Sequence, residues 1–252
     1  MNKIKIAIQG ELGAYSHIAA ENLYKGAEIK TCSTFEETFK QAYNDPQFKI
    51  VIPIENSLAG RVADIHYLLP KYKLQIHGEY FQMVEHNLLC KPDAKIVDIK
   101  FVRSHAQAIG QCQNIINKRK FKSIISADTA GSAKDLAEGK DKSIAAIASE
   151  LSAKIYNLKI LEKNIEDEKG NVTRFLIMSK ELQQQKAENV KYLTSCIFEV
   201  RSVPSALYKA LGGFATNGVN LTKLESFIVD GDFNKAQFLI SHPNYSGLQF
   251  NQ

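Results

Sequence analysis

Apolar residues along the first 160 positions alternate between two spacings. Runs in which every second residue, or every residue, is apolar are typical of strands, whereas apolar residues three or four positions apart are typical of helices. The strand pattern occurs at residues 3–9, 48–55, 100–105, 121–127 and 142–148, with a longer β-rich stretch at 73–90. The helix pattern occurs at residues 14–26, 34–44, 62–69, 106–119, 128–139 and 149–157. This order predicts an α/β fold with parallel sheets covered by helices.

Three residues mark where predicted helices begin or end. Thr34 and Asp128 stand immediately before helical patterns, and their side-chain oxygens suit the N-cap position. Pro70 follows the helical pattern of residues 62–69, and proline disrupts the hydrogen bonds of a helix interior. We therefore expect that helix to end before Pro70.

A polar stretch without apolar periodicity, "ELQQQKAENVK" at residues 181–191, separates the C-terminal part of the chain. Beyond it the pattern predicts a strand at 192–200, a helix at 204–218 and strands at 221–229 and 235–241. A ferredoxin-like βαββαβ unit would need one more helix and one more strand. The sequence thus predicts a linker at 183–192, followed at 193–252 by an α+β ferredoxin-like unit that is an incomplete βαββ.

The composition mainly excludes certain classes of protein and kinds of site. The 252 residues are 44% hydrophobic and 23% charged, which is typical of a globular protein. No run reaches the roughly 18 apolar residues of a membrane span, and no signal-like stretch precedes Gly10, so we expect a cytosolic protein without a membrane partner. The net charge of +5 suits an anionic small molecule but is small for a nucleic-acid-binding surface. The four cysteines form no CxxC pair, so neither a zinc site nor a redox motif is indicated.

Four predicted strand-to-helix junctions are rich in hydroxyl, amide and charged side chains. They are residues 10–16, 53–61, 103–108 and 127–133. The carboxyl ends of parallel strands form the edge at which open α/β sheets bind ligands. In "PIENSLAGR", the second junction, the side chains either cap the following helix or contact a ligand, and spacing alone leaves both open.

Single residues in these junctions allow a structural and a functional interpretation. The amides of Gly10 and Gly13 could face a carboxylate at a helix N-terminus, although a GxxG spacing also fits a simple turn. His105 starts a helix, which favours a neutral, hydrogen-bonding imidazole over a general base. The remaining isolated histidines have no metal-ligand spacing, and we assign structural or surface roles to His17, His66, His86 and His242.

A further candidate lies in "EKGNVTRFLIMSK" at residues 168–180, where a polar loop joins an apolar run. The Thr173 hydroxyl is a poor acid or base near neutral pH, but it can donate a hydrogen bond to a leaving hydroxide in a dry pocket. Arg174 could bind a carboxylate through two hydrogen bonds, or form a surface ion pair. Without further context, Thr173 and Arg174 agree equally with an anion-binding site and with an ordinary loop that enters a strand.

Seven motifs occur together and in a characteristic order: "GELGAYSHIAA", "VIPIENSLAGRV", "HNLLC", "SHAQAIGQC", "DTAGSAKDLAEG", "AAIAS" and "GNVTRF". They resemble the motifs of prephenate dehydratase. The segment from Cys196 onward, with "PSALYKAL" and "NLTKLES", resembles the phenylalanine-binding ACT domain that follows the catalytic domain in that family. The resemblance covers about residues 4–240, and "PIENS" together with "NVTRF" is its most specific part.

The resemblance implies a decarboxylating dehydration, in which prephenate loses CO2 and its ring hydroxyl and becomes phenylpyruvate on the route to L-phenylalanine. It implies no metal or organic cofactor, L-phenylalanine as an effector, no nucleic-acid partner, and a homodimer or higher homo-oligomer. The implied catalytic domain, residues 1–182, has two lobes like a type II periplasmic binding protein, with the substrate between them. Residues 1–75 and 168–182 would form one lobe, and residues 76–167 the other.

The resemblance also assigns roles to individual residues. Thr173 would hydrogen-bond to the leaving hydroxyl, and Arg174 would pair with a substrate carboxylate. Asn56 and Ser57 would orient the substrate, with Glu55 as an acid or supporting candidate. Further substrate-binding candidates are Gly13, Tyr15, Ser16, Ser104, His105, Gln107, Thr129, Ala130, Gly131, Asn171 and Phe175. Candidates for phenylalanine binding are Ala206, Leu207, Asn220, Leu221, Glu225 and Ser226.

The chain departs from the family pattern at several positions. Glu11 and Ala14 stand where the family usually has Pro and Thr, and Ala106 stands in place of the proline of "SHPQ". The ACT-like motifs differ more, and the sequence predicts neither the last helix nor the last strand of a complete ferredoxin-like unit. We hypothesise that the C-terminal unit is truncated, that it completes itself across a dimer or is poorly ordered, and that it binds phenylalanine weakly or not at all.

Other functions stay open on the sequence alone. Arogenate dehydratase performs the same chemistry on an amino side chain, and the motifs do not separate the two substrates. Two lobes around a cleft also describe non-enzymatic amino-acid-binding and sensor proteins. A catalytically inactive regulator is disfavoured because "NVTRF" and "PIENS" are intact.

Overall fold

The computed structural model describes residues 3–181, 192–229 and 232–244. The chain divides into two compact units, residues 1–183 and 184–252. The predicted linker at 183–192 lies outside the described residues, apart from Tyr192 at the start of a strand.

The first unit is built from short strands and helices that follow the predicted alternation. Its strands are β1 (Lys5–Gln9), β2 (Glu28–Cys32), β3 (Phe48–Asn56), β4 (Gly60–Arg61), β5 (Gln75–Met83), β6 (Asn87–Cys90), β7 (Phe101–His105), β8 (Lys122–Ser126), β9 (Ile144–Ala148), β10 (Lys159–Glu162) and β11 (Val172–Ser179). Its helices are α1 (Tyr15–Leu23), α2 (Phe35–Asn44), α3 (Ala63–Tyr72), α4 (Ala106–Gly110), α5 (Gln113–Arg119), α6 (Thr129–Glu138) and α7 (Glu150–Ile155), with a 3-10 turn at Ile96–Asp98. The strands β2, β4 and β10 were not predicted, since the apolar pattern is weak there.

The first sheet has the strand order β2-β1-β3-β11-β5, with β4 paired to β3. β1 is parallel to β2 and β3, whereas β11 is antiparallel to both β3 and β5. The expectation of parallel sheets therefore holds only in part. β11 reaches this sheet after the chain has passed through the second sheet, so no crossover helix sets its direction.

The second sheet has the order β10-β6-β9-β7-β8. β7 is parallel to β8 and β9, and β6 is antiparallel to β9 and β10. Two sheets, each covered by helices, confirm the predicted two-lobed α/β fold. β5 lies in the first sheet, so the chain crosses to the second sheet after Met83 and not at the expected boundary between residues 75 and 76.

Two predicted helices differ in the structure. α3 continues through Pro70 to Tyr72 and ends at Lys73, whose left-handed backbone lets its N–H donate to the Leu69 carbonyl at 3.1 Å. Pro70 has no N–H, so one hydrogen bond of the helix is lost. Burial of Ile65 and Tyr72 in the core compensates for this loss and favours the extra turn.

The helix predicted at 106–119 is two helices, with a break at Gln111 and Cys112. The Asp167 carboxylate accepts hydrogen bonds from the amides of Gln113 (2.8 Å) and Asn114 (3.0 Å), so it caps α5 and lets the helix restart in a new direction. This carboxylate comes from far along the chain, which is why the local pattern does not reveal the break.

The two predicted N-caps are confirmed. Thr34 Oγ1 accepts from the Glu37 amide at 3.1 Å, and an Asp128 carboxylate oxygen accepts from the Gly131 amide at 2.6 Å. Each cap satisfies one of the free amides of a first helical turn and contributes about 1 kcal/mol.

Both faces of the first sheet are buried. On β3, Ile50 and Ile52 pack with Phe39 of α2, while the intervening Val51 packs with Ala19 of α1 on the opposite face. Each such side chain contributes about 1.5–3 kcal/mol by leaving water. A sheet fixed from both sides holds the loops at its edge in place.

The second unit contains β12 (Tyr192–Glu199), α8 (Ala206–Thr216), β13 (Lys223–Val229) and β14 (Asp232–Asn244). Its antiparallel sheet has the order β12-β14-β13, so the β-α-β-β succession agrees with the predicted pattern. Any further helix or strand after residue 244 lies outside the described residues.

Among the helices of residues 3–181, 192–229 and 232–244, none is long and apolar enough to cross a membrane.

Candidate active site

The end of β3 and the start of β11 lie side by side and bring two motifs together. In this antiparallel pair Thr173 is opposite Asn56. The Asn56 side chain donates both of its amide hydrogens, one to Asn171 Oδ1 (2.6 Å) and one to Thr173 Oγ1 (2.9 Å). Residues that are 115 and 117 positions apart in sequence thus form one polar cluster.

The orientation of the Asn56 amide is fixed by the backbone. Its Oδ1 accepts from the amides of Leu58 (3.1 Å) and Ala59 (2.9 Å), which are donors only. Nδ2 must therefore point to Thr173, whose Oγ1 acts as the acceptor. The Thr173 hydroxyl keeps its own proton available for a further partner.

A cavity of about 360 Å³ opens beside this cluster, between the two lobes of the first unit. The carboxyl ends of β1, β3, β7 and β8 all contribute to its wall, which is where ligands bind in open α/β sheets. Nine of the candidates from the sequence line it: Tyr15, Ser16, Asn56, His105, Gln107, Thr129, Asn171, Thr173 and Phe175. The cavity thus collects most of the predicted site.

Arg174 and Glu55 lie on the other face of the sheet. Successive strand residues point to opposite faces, so Arg174 points away from the side on which Thr173 lines the cavity. Arg174 Nε donates to Glu79 (2.6 Å), and its Nη1 lies 3.8 Å from the Glu55 carboxylate. Arg174 is not among the residues lining the cavity and its guanidinium is paired with Glu79, whereas the contact between Arg174 and a substrate carboxylate stays a prediction.

Four further candidates are held in structural contacts outside the cavity lining. Ser57 Oγ accepts from the Val172 amide (2.9 Å) and so ties the loop after β3 to β11. Ser104 is fully buried and donates to the Ile147 carbonyl (2.7 Å). Ala130 is fully buried, and the Gly131 amide is engaged by the Asp128 carboxylate.

The expected amide donors of the first junction are also engaged. The Gly10 amide donates to the Cys32 carbonyl (2.9 Å), and the Gly13 amide donates to His17 Nδ1 (2.9 Å). The Gly13 carbonyl accepts from Ser149 (2.6 Å) and Ser152 (3.0 Å), which belong to the other lobe. The Gly13 carbonyl therefore joins the lobes, and a carboxylate would have to displace His17 Nδ1 to use the Gly13 amide.

His86 and Gln111 also line the cavity, although sequence reasoning gave neither a functional role. His86 is 2% exposed, and its Nε2 lies 2.9 Å from Gln111 Oε1. Gln111 Oε1 also accepts from Asn171 Nδ2 (2.9 Å), which connects both residues to the Asn56 cluster. Both residues belong to motifs of the family, "HNLLC" and "SHAQAIGQC", which could have indicated them. His86 was assigned a structural or surface role because it has no metal-ligand spacing, and Gln111 was given no role of its own.

Burial shifts the acid-base behaviour of two cavity residues. Burial lowers the pKa of His86, with an opposing effect of its hydrogen bond to Gln111. Burial raises the pKa of Tyr15 well above its ordinary value of 10.0, and the nearby Glu166 adds to this effect. Near neutral pH both side chains are therefore uncharged hydrogen-bonding groups.

The N-terminus of α1 can attract an anion to the cavity. The described lining contains no lysine or arginine, but α1 begins there at Tyr15 without a side-chain cap. Helix N-termini carry free amides and a partial positive charge, which favours carboxylates. In the described part of the chain, no group of three or more His, Cys, Asp and Glu residues could hold a metal ion.

The candidates for phenylalanine binding are spread over the second unit. Ala206 and Leu207 line a cavity of about 410 Å³ with residues of the preceding loop and of β14. Glu225 and Ser226 lie on β13, opposite Leu239 and Phe238 of β14, and the Glu225 carboxylate is 3.4 Å from Lys223 Nζ. Asn220 and Leu221 precede β13 and are not among the residues lining that cavity.

Comparison with known proteins decides the family. The sequence model of the prephenate dehydratase family matches residues 6–183, which is well over half of the chain. The chain belongs to the prephenate dehydratase family. The match runs from Ile6 in β1 to beyond the end of β11, and it includes every residue that lines the cavity.

Individual relatives of this family member cover nearly the whole chain. A protein of Komagataeibacter europaeus, called bifunctional N-acyl-homoserine lactone acylase/prephenate dehydratase, is 41% identical over 94% of this chain and 86% of its own length. Arogenate dehydratase/prephenate dehydratase 2 of Arabidopsis thaliana is 40% identical over 89% of this chain and 59% of its own length. A solved structure described as a novel type of quorum quenching acylase has a TM-score of 0.87 at 40% identity, covering 96% of this chain and 88% of that one.

Proposed function

We propose that this chain catalyses the decarboxylating dehydration of prephenate to phenylpyruvate, water and CO2. The observation that carries the proposal is the Thr173 hydroxyl, which accepts from Asn56 Nδ2 at 2.9 Å and so has its own proton free at the cavity. A hydrogen bond that is formed to a leaving oxygen as its charge develops accelerates the step directly.

The bond changes balance without a redox partner. The bond from the ring to its carboxylate carbon breaks, and the electron pair enters the ring as CO2 departs. The bond from the opposite ring carbon to the hydroxyl oxygen breaks, and that oxygen takes a proton and leaves as water. One dianion and one proton thus give CO2, water and the phenylpyruvate anion. In this scheme Thr173 donates a hydrogen bond to the leaving oxygen, and solvent supplies the proton that completes the water molecule.

The two carboxylates of prephenate require favourable positions in a cavity whose described lining has no lysine or arginine. The N-terminus of α1, which has no side-chain cap, offers amides and partial positive charge to one of them. Gln107 and His105 line the wall contributed by the second lobe and can donate further hydrogen bonds. Placement of the substrate among these groups, close to Thr173, would supply most of the catalytic advantage.

Arogenate carries an ammonium group on its side chain where prephenate carries a keto group, so it is the nearest alternative substrate. The Arabidopsis relative is named for both activities. Asp128 is an acidic residue in the cavity lining, and one of its carboxylate oxygens caps α6. Side-by-side kcat/KM values for the two substrates would decide between them.

The test is an ultraviolet assay of phenylpyruvate formation with wild type, Thr173→Val and Thr173→Ser. Valine keeps the shape but removes the hydroxyl, and we expect kcat to fall by about 10²–10³-fold. Serine keeps the hydroxyl and is the matched control, expected to stay within about tenfold of wild type. If Thr173→Val loses less than about tenfold, or 1.4 kcal/mol, the assigned role of the hydroxyl is wrong. A folded wild type that is inactive on both substrates would exclude the dehydratase function.

A second candidate function is hydrolysis of N-acyl-homoserine lactones. It is supported by the Komagataeibacter relative, which carries that activity in its name and matches 94% of this chain. This reaction adds water across an amide, and it releases a fatty acid and homoserine lactone. Incubation with an acyl-homoserine lactone and detection of free homoserine lactone tests it, and Thr173→Val tells whether both reactions use one site.

We also propose that the second unit is ACT-like and regulatory, with the cavity beside Ala206 and Leu207 as its effector site. Because the ACT-like motifs differ from the family pattern, we expect weak phenylalanine binding or none, and saturation at micromolar concentration in calorimetry would contradict that. A homodimer and a cytosolic location stay predictions, and light scattering after size-exclusion chromatography would test the first.

A further inference from the structure

Three consecutive residues of the loop before α1 each contact the second lobe. The Glu11 carboxylate lies 3.1 Å from Lys134 Nζ on α6. The Leu12 carbonyl accepts a hydrogen bond from the Tyr156 hydroxyl at 3.0 Å, and the Gly13 carbonyl accepts from two serines at the start of α7. These three residues form an inter-lobe loop, since each of them binds the lobe opposite.

The inter-lobe loop leads directly into a wall of the candidate active-site cavity. Ala14, Tyr15 and Ser16 follow the loop and line the cavity. Ala14 is the N-cap of α1 but has no side-chain oxygen, so it cannot tie the entering chain to the first turn of the helix. Thr34 and Asp128 perform that task for α2 and α6. In α1 a different side chain takes it over.

This side chain is His17, in the first turn of α1. Its Nδ1 accepts a hydrogen bond from the Gly13 amide at 2.9 Å, and His17 is only 7% exposed. A side chain at the third helical position that binds back to an amide preceding the helix resembles one half of a capping box. The ring closed by this bond includes the backbone of Gly13, which has a φ of +91° and rotates freely for want of a side chain. His17 thus restrains the rotation by which α1 could turn relative to the loop.

Both lobes hold the peptide group between Leu12 and Gly13. Its carbonyl accepts from Tyr156 of the second lobe, and its N–H donates to His17 of the first. A backbone N–H can only donate, so His17 Nδ1 carries no hydrogen and the neutral ring has its hydrogen on Nε2. Loss of this acceptor would leave a buried N–H without a partner, which the fold can avoid only by moving the loop or the start of α1.

We infer that His17 is a positioning residue, which holds the start of α1 against the second lobe through the Gly13 amide and so keeps the substrate-binding wall of the cavity in place. The inference rests on the proposed function, in which the N-terminus of α1 binds a carboxylate of the substrate. His17 is not among the described residues that line that cavity, so it acts through Gly13 and not on the substrate itself.

Protonation of His17 would reverse this contact. A hydrogen on Nδ1 would face the Gly13 N–H, and two donors cannot bond to each other. The titratable side chains that share a cavity of about 530 Å³ with His17 are Tyr15, Glu21, Glu85, Glu150 and Lys154. Burial lowers the pKa of His17 from its ordinary value of 6.5, and Glu21, at 3.9 Å from Nε2, has the opposite but smaller effect. The contact is therefore complete above pH 6.5 and is lost as pH falls toward the lowered pKa.

An isosteric pair of substitutions separates the hydrogen bond from packing. Asparagine places Oδ1 where His17 has Nδ1 and keeps an acceptor that does not titrate, whereas leucine has the same branched shape without an acceptor. At about pH 8 we expect His17→Asn to keep KM for prephenate within about twofold and His17→Leu to raise it by about tenfold or more, with kcat within about threefold in both. Equal KM values for the two variants, or a loss confined to kcat, would overturn the inference.

The pH profile supplies a second test, which a role in packing alone would not affect. As pH falls from about 8 to about 5, KM of wild type should rise relative to KM of His17→Asn, because only wild type loses its acceptor. The ratio of the two KM values cancels the titration of the substrate and of residues that both proteins share. A ratio that stays constant would contradict the inference, even where His17→Leu does not fold.

Nuclear magnetic resonance of the Gly13 amide gives a readout that does not depend on activity. The amide should exchange slowly with solvent in wild type and His17→Asn, and about tenfold faster or more in His17→Leu. Its chemical shift should follow the protonation of His17 in wild type and stay constant with pH in His17→Asn. A shift that ignores His17, or an Nδ1–H tautomer in 15N spectra of the ring, would refute the contact. An inactive wild type with the expected spectra would refute the proposed function and leave the contact between His17 and Gly13 established.

Discussion

Replacement of Gly13 by alanine tests the contact between the two lobes of the first unit. Gly13 has φ of +91°, a conformation that residues with a side chain rarely adopt. An added Cβ would lie 2.8 Å from Ser152 Cα and closer still to Ser152 Oγ. A change of the Ser152 rotamer could move Oγ but not Cα, so the collision with the backbone would remain.

Three effects contribute to the expected loss. Positive φ for alanine costs about 1–2 kcal/mol. Separation of the lobes to accommodate Cβ costs about 1–3 kcal/mol, as in other overpacked interiors. The same displacement weakens the hydrogen bonds from Ser149 and Ser152 to the Gly13 carbonyl, each of which contributes about 0.5–1.5 kcal/mol. We expect Gly13→Ala to lower the free energy of unfolding by about 3–5 kcal/mol.

Gly26→Ala is the matched control. Gly26 also has a positive φ, of +74°, but nothing lies within 4 Å of an added Cβ. Gly26→Ala should therefore lower the free energy of unfolding only by the cost of a positive φ for alanine, about 1–2 kcal/mol. Urea unfolding followed by far-ultraviolet circular dichroism gives both values. If Gly13→Ala lowers the free energy of unfolding by no more than Gly26→Ala does, Ser152 does not lie as close to Gly13 as the structure places it.

Three further predictions concern single residues of the first unit. Ala14 is the N-cap of α1 with extended backbone and no capping hydrogen bond, so Ala14→Ser should raise the free energy of unfolding by about 0.5–1 kcal/mol, and an unchanged urea midpoint would contradict this. The hydrogen bond to Lys71 lowers the pKa of Glu36 from 4.5 to about 2; the stability it provides is full above pH 4.5 and is lost as pH falls toward 2. Urea midpoints of Glu36→Gln should therefore depend less on pH than those of wild type across that window. Arg174→Gln leaves Glu79 unpaired and should lower the free energy of unfolding by about 1–2 kcal/mol, with KM for prephenate within about twofold; a tenfold rise in KM would return a substrate-binding role to Arg174.

Local chemistry explains why much of the fold was predictable. The alternating apolar patterns located most strands and helices of the first unit, because each pattern reports which face of an element is buried. Thr34 and Asp128 were recognisable as N-caps because a cap bonds to an amide only three residues away. The motif order likewise identified Thr173 and Asn56 before their contact was known.

The same reasoning misjudged features that depend on distant partners. Thr173 and Arg174 were expected to act together, and their opposite directions follow from the start of β11 at Val172, which the sequence does not mark. The split of the helix at 106–119 depends on Asp167, and the lobe boundary depends on the pairing of β5 with β11. The helix split and the lobe boundary depend on contacts between residues far apart in the chain, and the start of β11 has no marker in the sequence, so a local pattern cannot reveal any of the three.

Most elements, the family resemblance and the chemical groups available for the reaction can be read from the sequence. Which of these groups meet depends on the tertiary fold, because the site is built from hydrogen bonds between segments far apart in the chain. Asn56 and Thr173 are separated by 117 positions, and Tyr15 and His86 by 71. Antiparallel pairing of β11 with β3 creates the first contact, and close packing of the two lobes creates the second. Neither can be deduced from local pattern, since each is fixed by the folding of the whole unit around its two sheets.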